Sequence, residues 1–164
     1  MVNKYQRAVD MLNSHLKNKI VQSNDGDYGE FINRMINGTL ELTEYENDEV
    51  TKINTYLFRR FKSLTSVSFP ACTTIADNAF EECESLTSVS FPACTTIADN
   101  AFGYCTALTS LYFTGLSVPS IASNSFNNIP STATFYVASS MVDAFKSASY
   151  WSAFASQIVA YEGE

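Results

Sequence analysis

Positive charge is what this sequence is shortest of over most of its length. Its 164 residues hold 10 Lys and Arg against 17 Asp and Glu, a formal net charge of −7, and nine of the ten bases lie within residues 1–62. Residues 63–164 carry Lys146 alone against eight acids. That segment has no basic stripe to neutralise phosphates, so DNA, RNA and anionic membrane surfaces are excluded as its partners. Charge of either sign is scarce, at 16% of residues where about 25% is usual, and Ser, Thr and Asn fill the gap. His15 is the only histidine, so a His-based metal site or a Ser-His triad would have to borrow it from the first helix. No apolar run reaches the ~18–20 residues of a membrane helix. The opening MVNKYQRAVDML is amphipathic and lacks the roughly 7–15-residue apolar core of a secretory signal. The chain is therefore expected to be intracellular, exported by another route, carried on a larger particle, or already processed. The sequon Asn37-Gly38-Thr39 matters only in a eukaryotic secretory setting, of which there is no other sign.

What is present is a repeat. Residues 63–80 and 85–102 both read SLTSVSFPACTTIADNAF, an 18-residue identity at an offset of 22. The phase continues on both sides, aligning Ile53, Ile75, Ile97 and Ile121, and Phe58, Phe80, Phe102 and Phe126, with two residues inserted before Ile121. Four coils are legible, starting near Leu42, Leu64, Leu86 and Leu108. Within one coil the apolar positions are Leu64, Val67, Phe69, Cys72 and Ile75, the L-x-x-L-x-L-x-x-C-x-x-I spacing of a leucine-rich repeat, with Ser68 facing out. Pro70 ends the strand because it cannot donate to a ladder. Thr55, Asp77, Asp99 and Ser123 each precede an aromatic by three residues, which predicts one capped turn of helix or 3₁₀ on the return side.

A single coil cannot bury its own apolar column, so stacking with strands about 4.8 Å apart makes the core, and both ends need caps. A fifth strand is expected around Thr132–Val137, with Thr132 a departure from the phase. Ser139 or Ser140 would then cap a helix through about Ala148, with Met141, Ala144, Phe145 and Ala148 on one face. Trp151, Phe154, Ile158 and Val159 are expected to close the last coil. At the other end Tyr5, Val9, Leu12, Leu16 and Ile20 recur at helical spacing, and Phe31, Ile32, Met35 and Ile36 mark a second short helix ending at Asn37-Gly38. Residues 1–40 read as a cap for the first coil, or as an oligomerisation or anchoring helix.

The run Ile75…Asn78-Ala79-Phe80…Cys83…Leu86-Thr87-Ser88-Val89-Ser90-Phe91-Pro92, repeated, resembles the leucine-rich repeats of the BspA type, also called the Treponema pallidum type. Tyr136-Val137…Val142-Asp143-Ala144-Phe145…Trp151-Ser152…Ile158 is similar to that family's last-coil cap. The resemblance covers about residues 42–164; residues 1–40 lie outside it, and the first coil departs with Asn47 where Phe69 and Phe91 stand. It implies a protein-binding or adhesive scaffold of cell surfaces, secreted proteins and phage or prophage products of host-associated bacteria, without catalysis. Members usually carry an export signal, and its absence here shifts the expectation toward a virion-associated or prophage-encoded protein.

Cys72, Cys83, Cys94 and Cys105 recur every 11 residues, which invites a metal or disulfide reading. The internal alignment answers it: the Cys72/Cys94 column holds Val50 and Val118 in flanking coils, and the Cys83/Cys105 column holds Phe61 and Ile129. Cysteine stands in for apolar residues, as reduced core thiols. Zinc would need short-range pairs such as C-x₂-C, and ladder geometry suits a disulfide poorly. Asp77 and Asp99 are read as caps, and Glu81, Glu82 and Glu84 as a solvated acidic patch, since the next coil has Gly103, Tyr104 and Thr106 there.

The strongest candidate surface is the outward side of the strands: Thr65, Ser66 and Ser68; Thr87, Ser88 and Ser90; Thr109, Ser110 and Tyr112. Solenoids use such extended faces for binding, short hydroxyls hydrogen-bond a protein or glycan, and tyrosine is enriched at interfaces. The sequence thus predicts an α/β solenoid, a short right-handed leucine-rich-repeat coil with a parallel strand ladder. Residues 1–40 form an N-terminal helical segment, 41–131 the coils, and 132–164 the last strand and a C-terminal helical cap. The expected function is a non-enzymatic recognition or adhesion module on an exposed bacterial or phage surface, with no catalytic residue, metal or cofactor. The alternative is a structural virion or assembly component in which residues 1–40 dock or oligomerise and the solenoid is a spacer.

Overall fold

The 22-residue phase closes into coils. The computed structural model describes residues 50–163 and the backbone of 44–46. Its strands in chain order are β1 (Glu44–Glu46), β2 (Lys52–Ile53), β3 (Ser66–Ser68), β4 (Thr74–Ile75), β5 (Ser88–Ser90), β6 (Thr96–Ile97), β7 (Ser110–Phe113), β8 (Ser120–Ile121), β9 (Thr134–Ala138) and β10 (Ile158–Tyr161). They sort into two parallel sheets, β1-β3-β5-β7-β9-β10 and β2-β4-β6-β8. The chain is a short α/β solenoid. The expected helices of residues 1–40, His15, Leu42 and Asn47 lie outside the described residues.

Strand register repeats the sequence alignment. Val67, Val89, Leu111, Phe135 and Ile158 are successive partners in the larger sheet, as are Ile53, Ile75, Ile97 and Ile121 in the smaller one. All nine are buried, because a period of two sends alternate side chains to opposite faces and only one face meets the core. β3 and β5 end at Ser68 and Ser90, before Phe69-Pro70 and Phe91-Pro92. In the fifth coil Ala133 takes the slot of Leu108: both are buried, and both amides close a turn onto a carbonyl three residues back, at Pro130 and Cys105.

The return side departs from the expected helical turn. Leu57, Arg59 and Phe61 amides close turns onto Asn54, Tyr56 and Phe58, while Tyr56, Phe58 and Arg60 donate to the carbonyls of Asp77, Ala79 and Glu81 one coil on. Asn78, Phe80 and Glu82 repeat this onto Asp99, Ala101 and Gly103, and Phe102 and Tyr104 onto Ser125 and Asn127. A left-handed backbone at Tyr56, Arg60, Asn78, Glu82, Asn100, Tyr104 and Asn128 punctuates this path. Asparagine tolerates that region, whereas Tyr, Arg and Glu pay a steric cost there. The carbonyls of the neighbouring coil take amides that an isolated helical turn would leave to side-chain caps. The expected caps are accordingly reassigned. The Asp77 carboxylate accepts from the Asp99 amide of the next coil, at 3.2 Å, and in the fourth coil Ser125 rather than Ser123 accepts from the Ala122 amide, at 2.9 Å.

Two phenylalanine columns fill the core. Phe58, Phe80, Phe102 and Phe126 stack with centroids 5.0, 5.2 and 5.5 Å apart and planes within 6°. Phe69, Phe91 and Phe113 form the second column at 5.6 and 6.4 Å, and meet the first edge-on at Phe80–Phe91 and Phe91–Phe102. At the C-terminal end Trp151 packs edge-on against Phe113, Phe135 and Phe145 and donates its indole N–H to the Pro119 carbonyl at 2.7 Å.

The cap differs from the sequence reading in three places. A 3₁₀ turn, Ser139–Met141, precedes helix α1 (Val142–Ser147), and neither Ser139 nor Ser140 makes a side-chain cap bond. Phe145 is buried with Met141 and Ala148 half-buried, but Ala144 is exposed, since a six-residue helix turns only a narrow stripe inward. After a second 3₁₀ segment, Trp151–Gln157, the chain adds β10 as a sixth strand. Trp151, Phe154 and Ile158 close the core as expected, whereas Val159 is exposed, because strand alternation turns it outward.

Candidate recognition face

The outward side of the larger sheet is assembled from strand residues that alternate with the core. Ser66, Ser88, Ser110 and Thr134 are successive partners in one row; Ser68, Ser90, Tyr112, Tyr136 and Val159 are partners in the next. Of the nine sequence-selected residues, Ser66, Ser68, Ser88, Ser90, Ser110 and Tyr112 stand in these rows, whereas Thr65, Thr87 and Thr109 each immediately precede a strand; none of the nine is buried. Thr87 and Thr109 have an additional duty. Their hydroxyls donate to the Thr65 and Thr87 carbonyls of the preceding coil, at 3.0 and 3.2 Å, so each retains only acceptor capacity toward a ligand. Thr73, Thr95 and Ser120 do the same beside the smaller sheet.

Toward the C-terminal end hydroxyls give way to rings. Tyr112 and Tyr136 stack at 4.7 Å with planes 11° apart, and Tyr161 stands at right angles to both, 5.5 and 6.3 Å away at 83° and 78°. Tyr161 is 41% exposed and Val159 38%, values that mark both as available to a partner. Tyr136, Val159 and Tyr161 were missed by the sequence reading, which selected Tyr112 alone. Tyr136 was findable: with Phe135 and Val137 set on Leu111 and Phe113 it falls opposite Tyr112. Tyr161 was not, because a strand after the cap has no repeat phase to announce it.

Of the strand residues from β3 through β10 in this sheet none is charged. Glu81, Glu82 and Glu84 lie between β4 and β5 and are paired, and Glu81 is buried, which departs from the expectation of a solvated patch, while Glu84 stays exposed. Glu81 pairs with Arg59, Glu82 with Arg60 at 2.9 and 3.3 Å, and Glu84 with Lys62 at 3.4 Å. Each pair spans 22 residues, so the basic cluster of one coil lies over the acidic cluster of the next; a sequence alignment of like with like hides a contact between unlike neighbours.

The cysteines occupy the core. All four are free and buried. The Cys83 and Cys105 thiols donate to the Phe58 and Phe80 carbonyls at 2.9 and 3.1 Å, and Cys72 and Cys94 contact Thr74 and Thr96 carbonyls at 3.4 and 3.5 Å. Burial pushes Cys72 up to about 11 and Cys94 and Cys105 to about 12, and raises Cys83 strongly, helped by the neighbouring Cys105. Thiols held protonated are poor nucleophiles and poor metal ligands. Among the described residues no three of His, Cys, Asp and Glu converge as a metal site, and no helix is long and apolar enough to cross a membrane.

No curated protein matches this chain. The family model for the BspA type leucine rich repeat region matches residues 36–154, in six copies. Repeats of this type are interaction modules, generally without enzymatic activity and typically surface-associated. With its in-register strands, stacked core columns and 22-residue coils, the chain belongs to the BspA-type leucine-rich-repeat family.

Proposed function

We propose that this protein is a non-enzymatic recognition or adhesion module that binds a protein or glycan of an exposed bacterial or host surface, as a surface or phage-borne protein, through the outward side of its larger sheet. The observation that carries this reading is the sheet itself. From β3 to β10 it offers in-register rows of uncharged hydroxyls and aromatic rings, a preorganised surface that loses little entropy on binding. The smaller sheet, with two-residue strands, offers a narrower one.

The test is binding of fluorescently labelled protein to bacterial and epithelial cells, read by flow cytometry. Ser88→Arg and Ser110→Arg place bulk and charge on the larger sheet; Thr74→Arg and Thr96→Arg do so on the smaller one. Binding that is lost in the first pair and kept in the second supports the proposal. Binding that is absent from all cells, or indifferent to the first pair, overturns it.

A further inference from the structure

The right-angled tyrosine cluster narrows the ligand class. Tyr112 and Tyr136 stack on each other and Tyr161 meets both edge-on, a contiguous aromatic patch with Val159 beside Tyr136 in register. Around this corner the sheet supplies only hydroxyls, from Ser90, Ser110 and Thr134. An anionic ligand, whether nucleic acid or a sulfated or sialylated glycan, would find no cation in any strand from β3 onward. A protein surface, about a quarter of it charged, would bring charges that this face desolvates without pairing. A neutral sugar brings neither. A pyranose presents an apolar C–H face, which suits an aromatic ring, and a rim of hydroxyls that both donate and accept, which suits Tyr, Ser and Thr hydroxyls that do the same.

We infer that the Tyr112–Tyr136–Tyr161 corner is a binding site for a neutral glycan, a pyranose seated against the rings with its hydroxyls met by the neighbouring Ser and Thr rows. The inference rests on the recognition reading above and narrows it to one ligand class at one end of the sheet. The ligand is matched in charge and in its mixture of apolar and hydroxyl surface.

The experiment is a glycan microarray carrying neutral hexose and N-acetylhexosamine oligosaccharides beside sialylated and sulfated ones, probed with the full chain. The variants are Tyr161→Ala, Tyr136→Ala and Tyr161→Phe, with far-UV circular dichroism confirming that each folds. The expected result is binding to neutral glycans that falls about tenfold or more in the two alanine variants and is largely kept in Tyr161→Phe. Absence of binding to any neutral glycan, preference for the anionic ones, or indifference to both alanine variants overturns the inference. Cell binding separates the two levels: if Tyr161→Ala binds cells normally while Ser88→Arg does not, the glycan corner falls and the recognition face stands. If neither variant reduces cell binding, both fall.

Discussion

Replacing Phe80 with alanine cuts the longer phenylalanine column at its second member. Phe80 is fully buried, stacked between Phe58 at 5.0 Å and Phe102 at 5.2 Å and met edge-on by Phe91 at 5.9 Å. Removing a buried Phe side chain costs about 3–5 kcal/mol, and the cost is greatest where the walls cannot collapse. Here they cannot, since the coils on either side are held apart by backbone ladders at fixed spacing. The expected loss is therefore about 4–5 kcal/mol, about a quarter or more of the roughly 5–15 kcal/mol that holds a domain folded. Phe80→Leu, which refills most of the volume but loses the stacking, is expected to lose about 1–2 kcal/mol. The assay is urea unfolding followed by far-UV circular dichroism and by the fluorescence of Trp151, the only tryptophan. Solenoid coils contact only their neighbours, and Trp151 sits among Phe113, Phe135 and Phe145 at the C-terminal end. In Phe80→Ala the dichroism transition is expected to move to lower urea and to precede the fluorescence transition. A loss below about 1 kcal/mol with the two transitions coincident would refute the claim that this column couples the coils.

Other perturbations separate the remaining interactions. Arg59→Met leaves Glu81, whose side chain is 11% exposed, without its cation and is expected to lose about 1–3 kcal/mol in chemical denaturation, whereas Lys62→Ala, at an exposed pair, is expected to change stability by less than about 0.5 kcal/mol. Thr95→Val keeps the branched shape but removes the hydroxyl bond to the Thr73 carbonyl; about 0.5–1.5 kcal/mol should be lost in the same assay. Iodoacetamide at pH 8.5 is expected to leave all four cysteines unmodified by mass spectrometry in native protein and to modify all four in urea, because burial raises every one of them. The same raised values make stability independent of these thiols below the ordinary value of 9.0 and reduce it as pH climbs from there through about 11 and 12, where the unfolded chain has released protons that the folded one still holds.

The parts of the fold legible in the sequence were those a single repeat writes into its own residues. Leu64, Val67, Phe69, Cys72 and Ile75 are buried because their spacing alone fixes which side of the coil they face. The cysteines were readable as core for a related reason, since Val50, Val118, Phe61 and Ile129 share their columns. Contacts between coils were not legible. Asp77 reaches the amide of Asp99, and Arg59 reaches Glu81, but no local pattern distinguishes a residue that serves its own turn from one that serves the next. The return side misled because i-to-i+3 turns and a helical turn share the same sequence cues, and the choice falls to carbonyls one coil away. Half of the candidate face was visible as outward strand positions. Its aromatic end depends on β10, which has no counterpart in the repeat.

The return-side ladder has an electrical consequence. Tyr56, Phe58 and Arg60, then Asn78, Phe80 and Glu82, then Phe102 and Tyr104 all aim their N–H groups toward the C-terminal coils, and their acceptors aim C=O groups back. In an α-helix the same head-to-tail alignment of peptide units yields a macrodipole. Here the alignment is confined to one edge: the amides of Thr73, Ala76, Thr87, Thr95, Ala98, Thr109 and Thr134 aim the other way, onto carbonyls of the preceding coil, so the two sets oppose each other across the coil and the net axial dipole is small. Every added repeat would lengthen both opposed sets together, so a solenoid of this kind can grow by coils without building up charge at its ends.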